Sequence, residues 1–283
     1  MAHEDGGFAL GTMYFGTRQD QRESFAILDR FVDRGGRWLD TADNYSFWKD
    51  PSGVGGASEG TLGAWLRANP GVRQQLRIST KGGADPTVPG LWPESMEGLS
   101  GEVIGTSLNR SLERLGTDHV DLLWAHVEDR VVPLEEQVDA FGAAVAEGRA
   151  KRIGASNHAI WRVERARTLA RLRGVEPYSA LQLRHTYLQP IPFVDLPDGG
   201  HVVASPEALD YAASEDLLLW AYTTLLGGAF ARPERLQSAY LHPDTTRRLH
   251  VLHQVARRLG VSQNQLVLAW LMGGTPRVTP IVG

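Results

Sequence analysis

The sequence predicts an α/β protein built as a single (β/α)8 TIM barrel over residues 1–283. Short apolar runs of strand length alternate with longer stretches of helical spacing, and the alternation recurs along the whole chain. Two of the runs, Leu122–Ala125 and Leu217–Ala221, are continuously apolar, as parallel strands buried on both faces should be. No low-complexity linker or shift of composition divides the chain.

In chain order, strands are expected at Phe8–Thr12, Arg37–Asp40, Arg77–Lys81, Val120–His126, Ile153–Ser156, Ala180–Leu183, Leu217–Tyr222 and Val278–Val282. Helices are expected at Gln21–Arg34, Gly60–Ala68, Val103–Leu115, Leu134–Glu147, Trp161–Arg173, Pro206–Ala213 and Thr245–Leu259. A short one at Ser262–Trp270 leads into the last strand. Gly35-Gly36, Gly116 and Gly260 each follow a helix where a left-handed cap is wanted. Ser262 can cap the short helix. Asp121 interrupts the start of the fourth strand.

Hydrophobic residues make up 42% and charged residues 22%, enough to bury a sizeable core and to exclude disorder as the main state. A net charge of −4 is too near neutral for a general nucleic-acid binder. The absence of cysteine excludes disulfides, thiol nucleophiles, iron–sulfur clusters and cysteine zinc sites. It fits a reducing compartment, and a cytoplasmic protein is expected. The acidic, polar start, Met1–Gly7, does not read as a signal peptide. No apolar run approaches the roughly 18–20 residues that span a bilayer. Of 29 basic residues only Lys49, Lys81 and Lys151 are lysines. The bland reading of the bias is a GC-rich genome that encodes arginine readily. Each lysine is still worth testing for a task that arginine, which keeps its proton and has a planar fork, cannot do. Lys49 and Lys151 read as surface charges, Lys49 lying near enough to Tyr45 in sequence to be a weak pocket candidate.

The strand ends carry the chemistry. Asp40 ends the second strand, Lys81 the third, His126 the fourth and Ser156-Asn157 the fifth; Gln182 lies on the sixth and Tyr222 ends the seventh. In a barrel these ends converge on one mouth, where barrel active sites sit. An Asp beside a Lys keeps the ammonium charged, and a charged Lys favours the phenolate of a neighbouring tyrosine. Tyr45, on the loop after the second strand, can fold over the same mouth. With its pKa lowered from the ordinary value it becomes a usable general acid. His126 can orient a carbonyl oxygen. The set suits protonation of an oxygen that gathers negative charge, not acyl transfer.

These residues resemble the aldo-keto reductases. The resemblance is carried by Gly11-Thr12-Met13, Leu39-Asp40-Thr41-Ala42-Asp43-Asn44-Tyr45, Ser79-Thr80-Lys81, Asp121–His126 and Ile153–Asn157, in the family's order. Gln182, Ala221-Tyr222, Leu225–Gly228 and Val278–Gly283 extend it. It implies that Tyr45 is the acid in carbonyl reduction, that Lys81 paired with Asp40 lowers its pKa, and that His126 positions the carbonyl. It implies a nicotinamide cofactor, NADP(H) first and NAD(H) second. Ser156, Asn157 and Gln182 would hold its carboxamide and Tyr222 would stack on its ring. Gly11, Thr12, Met13, Asp40, Thr223, Leu225 and Gly227 would lie along the rest of it, glycines allowing close backbone approach. The family's 2′-phosphate segment normally follows the last strand. The sequence stops at Gly283, so a trimmed tail and a missing eighth helix are expected, and NADP preference is not read directly. Almost no chain precedes Phe8 to form the strand pair that often plugs the barrel floor.

Tyr14, Phe47, Trp48 and Trp92 fall near the mouth, either as ordinary loop packing or as an aromatic-lined pocket for a hydrophobic or aromatic carbonyl. Gly53–Ser58 only approximates a dinucleotide fingerprint, lacks the final glycine and is expected to be a flexible loop. His250 and His253, three apart on a helix, and the acids after His126 are weak metal candidates without a third ligand, so no metal is expected. Asn44-Tyr45-Ser46 is a formal glycosylation sequon, without meaning in a cytoplasmic protein. Two other readings stay open. A non-catalytic nicotinamide-binding regulatory subunit of the same fold would bind cofactor without turnover. A metal-dependent barrel hydrolase or isomerase would lose activity on chelation.

Overall fold

The computed structural model describes residues 7–50, 52–89, 91–194, 196 and 199–283. The strands are β1 (Ala9–Gly11), β2 (Trp38–Asp40), β3 (Arg77–Gly82), β4 (Leu122–Ala125), β5 (Ile153–Ser156), β6 (Ala180–Arg184), β7 (Leu218–Tyr222) and β8 (Val278–Val282). They pair in parallel, in sequence order, and β8 returns to β1 to close the barrel. The helices are α1 (Gln21–Asp33), α2 (Ala57–Ala68), α3 (Gly101–Leu115), α4 (Leu134–Ala146), α5 (Ile160–Arg173), α6 (Pro206–Ser214), α7 (Pro243–Leu259) and α8 (Gln263–Gly273), the last two both between β7 and β8. The reading of residues before Phe8 falls largely on residues 1–6, outside the described ones.

Side-chain alternation along the strands divides the core in two. Outward-facing Leu39, Ile78, Leu123, Ala155, Leu181 and Leu219 join the apolar sides of the helices in one large cluster. Inward-facing Ala9, Leu122, Trp124, Ala180 and Trp220 form a second, packed against Trp38, Leu218 and Ile281. Here the lumen is filled by three indoles, with Trp220 edge-on to Trp38 at 4.9 Å and to Trp124 at 5.7 Å. Room for them comes from Gly154, where a Cβ would stand 2.5 Å from the Trp124 ring.

The boundaries shift where local groups decide them. β1 starts after Phe8, which is 41% exposed. Val120 leaves β4 and makes an isolated bridge to Ala150. Asp121 accepts from the Ile78 N–H, Arg73 and Lys151. Lys151, expected as a plain surface charge, is therefore bonded to a buried carboxylate at 2.9 Å. Ser100 caps α3 and starts it two residues early. Ser262 and Gln265 make a capping box on α8, which runs on to Gly273. α2 begins at Ala57, and the glycines before it are not a loose loop. A Cβ on Gly55 would lie 2.2 Å from Asn44 Cα, so this glycine is pressed on the turn that carries Tyr45.

Candidate active site

Strand parity sets which side chains reach the mouth. Trp38, Trp124 and Trp220 face the lumen, so Asp40, His126 and Tyr222, two residues further on, face it one layer higher. The β2–β3 register sets Asp40 beside Ser79. The Asp40 carboxylate accepts from Ser79 Oγ at 2.7 Å, Gln182 Nε2 at 3.2 Å and Lys81 Nζ at 2.6 Å. Lys81 also donates to Thr41 O at 2.7 Å and to the Tyr45 hydroxyl oxygen at 2.8 Å. All three ammonium hydrogens are thus placed on three acceptors around one atom, an arrangement a planar guanidinium does not match. Both Asp40 and Lys81 are about fully buried, at 1% exposure.

Tyr45 is held by its turn. Asp43 N–H donates to Lys81 O at 3.0 Å, Asn44 Nδ2 to Ala84 O at 3.0 Å, and Ser46 takes a left-handed φ of 73°. Burial, and after it the Asp40 carboxylate, pushes the Tyr45 phenol well above its ordinary pKa. This corrects the expectation of a lowered value, because desolvation of the phenolate outweighs the nearby ammonium. The resting tyrosine is therefore protonated. Burial pulls Lys81 down, opposed by Asp40. His126 lies 6.0 Å from Tyr45 between ring centroids. Burial, then Lys81 and His201, hold its imidazole well below the ordinary value, so it is neutral near pH 7. Its Nδ1 is buried without a hydrogen-bond partner among the described residues.

The residues expected to hold a cofactor lie at the ends of β5, β6 and β7 and, across β8, at those of β1 and β2. Asn157 has a φ of 59° and an amide that is already engaged. It donates to His126 O and Ser156 Oγ, each at 3.1 Å, and accepts from Val202 N–H at 3.1 Å and the Tyr222 hydroxyl at 2.6 Å. The last bond fixes the plane of the Tyr222 ring. Beyond it, Thr223, Leu226, Gly227 and Gly228 all have positive φ, and the turn is held by the Leu226 N–H on Thr223 O at 3.1 Å and the Gly228 N–H on Leu225 O at 2.9 Å. A Cβ on Gly227 would meet nothing within 4 Å, so this turn is open on that side. Gly11 pairs with Asp40, and a Cβ there would stand 2.9 Å from the Ile281 side chain. Thr12 spends its hydroxyl on Asp40 O and Ser58, and Met13 O accepts from Ser46 Oγ, so both contribute first to the joint between β1 and β2. A fixed flat ring followed by an open left-handed turn suits a flat heterocycle bearing phosphates.

A sequence profile of the Aldo/keto reductase family matches residues 8–283. The chain belongs to this family. Among known proteins it is 29% identical to the oxidoreductase YrpG of Bacillus subtilis (strain 168), over 97% of this chain and 82% of that one. It is 27% identical to the aryl-alcohol dehydrogenase GME11368 of Pestalotiopsis microspora, over 98% and 70%. It is 30% identical to the norsolorinic acid reductase stcV of Emericella nidulans (strain FGSC A4 / ATCC 38163 / CBS 112.46 / NRRL 194 / M139), over 97% and 69%. The protein is thus an aldo-keto reductase-type oxidoreductase.

Around this aldo-keto reductase mouth the aromatic candidates separate. Phe47 packs edge-on to Trp48 at 5.1 Å and tilted to Trp92 at 6.4 Å, Trp48 being 43% exposed at the rim. Tyr14 instead lies under Arg18, at 4.9 Å. His250 and His253 meet Gln254 and Gln263, and Glu128 accepts from the Ala159 N–H. Among the described residues no group of three or more His, Asp or Glu could hold a metal ion, and no helix is long and apolar enough to cross a membrane. Two features escaped the sequence reading. One is His201, from the loop after β6, 6.3 Å from Trp92 and 5.0 Å from Tyr222. The other is the buried carboxyl of Asp43 beneath the Tyr45 turn. Gly199-Gly200 ahead of the apolar Val202–Ala204 was the available signal for the first; the second lay within the Leu39–Tyr45 segment, where no pattern announced that its carboxyl would be buried.

Proposed function

We propose that this aldo-keto reductase converts a hydrophobic or aromatic aldehyde or ketone to the alcohol, using NADP(H) in preference to NAD(H). The carrying observation is the hydrogen bond from Lys81 Nζ to the Tyr45 oxygen at 2.8 Å. Lys81 occupies the oxygen as donor, so the phenolic hydrogen is left to point away from the ammonium, toward a substrate oxygen. When bound, the reduced nicotinamide supplies a hydride to the carbonyl carbon. Ser156, Asn157, Gln182 and Tyr222 would hold its ring, and Gly11, Thr12, Met13 and the Thr223–Gly227 turn the remainder. For Asn157 this requires exchange of one of its present acceptor bonds, from Val202 or Tyr222.

The chain's own groups then do the proton work. Tyr45 is kept protonated by burial, so it holds a transferable proton near neutral pH. As negative charge builds on the carbonyl oxygen, Tyr45 gives up that proton. The Lys81 ammonium, already bonded to the phenol oxygen, stabilises the phenolate left behind. Asp40 keeps Lys81 charged and in place. Neutral His126 orients the carbonyl without competing for the proton. The names of two relatives, an aryl-alcohol dehydrogenase and a norsolorinic acid reductase, support a carbonyl beside an aromatic system.

The test is consumption of NADPH and NADH, measured in parallel over aldehydes, aromatic ketones and sugar-like ketones, for the wild type and Tyr45→Phe. Loss of the acid should lower turnover by about 10²- to 10⁴-fold while cofactor binding stays near wild type. A Tyr45→Phe variant that turns over normally would remove Tyr45 from the reaction.

A further inference from the structure

Five rings from the loops after β2, β3, β4 and β6 form a circuit. Tyr45 stands 6.0 Å from His126. His126 and the His201 segment are joined through Asn157, whose amide donates to His126 O and accepts from the Val202 N–H, each at 3.1 Å. His201 stands 6.3 Å from Trp92, and Trp92 6.4 Å from Phe47, which is two residues along the chain from Tyr45. The five rings are thus linked around the mouth, by ring packing at three joints and through the chain and the Asn157 amide at the other two.

His201 is the member that joins the β6 loop to the other three, and three contacts fix it. Its ring packs on Tyr222 at 5.0 Å. The next residue, Val202, donates its N–H to Asn157. The two preceding glycines run along Trp92-Pro93, so closely that a Cβ on Gly199 would stand 3.2 Å from Pro93 and one on Gly200 3.6 Å from Trp92. The imidazole thus spans from the expected nicotinamide side, at Tyr222, to the aromatic side, at Trp92.

We propose that His201 is a specificity-determining residue that selects planar aryl aldehydes and ketones over aliphatic ones. The inference rests on carbonyl reduction at Tyr45. A flat π-system presents its edge or face to several rings of the circuit at once, which an aliphatic chain does not. Hydroxylated, puckered substrates would have to leave water for a wall made mainly of rings. Selection follows from His201 because its removal opens the circuit at the junction of two loops, while Tyr45, Lys81, Asp40 and His126 keep their own contacts.

The experiment compares kcat/KM, by NADPH consumption, for benzaldehyde against hexanal and for acetophenone against 2-octanone. The proteins are the wild type, His201→Ala and His201→Phe. The wild type should favour the aryl member of each pair. His201→Ala should lower that preference by about five- to tenfold, mainly through KM, and His201→Phe, which keeps a ring, should restore it. Equal use of aryl and aliphatic members by the wild type, or an unchanged preference in His201→Ala, overturns the proposal and leaves carbonyl reduction standing. No turnover of any of the four by the wild type overturns both.

Discussion

At the scale of the residue, the mouth is organised around one nitrogen. Lys81 Nζ has three acceptors within 2.8 Å, and Lys81 and Asp40 are each only 1% exposed. The scarcity of lysine made this position worth attention, and the compact ammonium explains why arginine would not serve there. The same burial makes chemistry and stability hard to separate by a single substitution. Lys81→Met leaves the Asp40 carboxylate buried with only Ser79 and Gln182 as donors, and should cost about 3–5 kcal/mol. Asp40→Asn/Lys81→Met removes both charges and should recover most of that loss in urea unfolding, yet remain inactive. Recovery of activity along with stability would show that Lys81 serves the fold and not Tyr45.

At the scale of the element, the period-2 alternation of the strands explains both what was legible and what was not. Asp40, Lys81, His126 and Gln182 were readable because each sits at or near the C-terminal end of its strand, where a barrel points its inward residues at one mouth. The ring at His201 was not, because the loop after β6 folds back through Val202–Ala204 to bond Arg184, a return that no local pattern announces. The direction of the Tyr45 pKa was not legible either. It depends on how deeply the turn is buried, and Gly55 pressed against Asn44 is a tertiary fact. The three-indole filling of the lumen carries its own prediction. Gly154 faces Trp124, where a Cβ would stand 2.5 Å from the ring, and also 2.9 Å from Ala180 O, which is backbone and cannot swing aside. Gly154→Val should therefore destabilise the barrel by about 1–3 kcal/mol or more by overpacking, seen as a lower Tm. An unchanged Tm would mean that the indoles repack freely and that the lumen does not fix the layer above it.

At the scale of the whole molecule, the wall between β2, β3, α2 and α3 holds a set of carboxyls that favours folding in acid. Asp43, Glu59, Asp85 and Glu97 all have raised pKa values, burial being the first cause in each. Arg110 and Arg114 face them, Arg114 donating to Glu59 and to Asp43 O, while Asp43 has no hydrogen-bond partner at either carboxyl oxygen among the described residues. A carboxyl whose folded pKa is raised contributes stability that is fully present below its unfolded value and is lost as pH rises through the folded one. The half-buried His126 and the buried His158 and His185 work the other way. Their pKa values are lowered in the fold, so acid below the ordinary histidine value favours unfolding. The wild-type curve sums these opposing slopes, but Asp43→Asn isolates one of them. The amide is nearly isosteric and uncharged at every pH. The variant should gain on the wild type as pH rises from 4 to 8, by about 1–3 kcal/mol across that range, measured by urea unfolding at each pH. A difference that stays constant with pH would show that Asp43 binds protons alike in the folded and the unfolded chain over this window. A difference that shrinks as pH rises would mean that Arg110, Arg114 and Lys81 together outweigh its burial and hold it as a carboxylate beneath the Tyr45 turn.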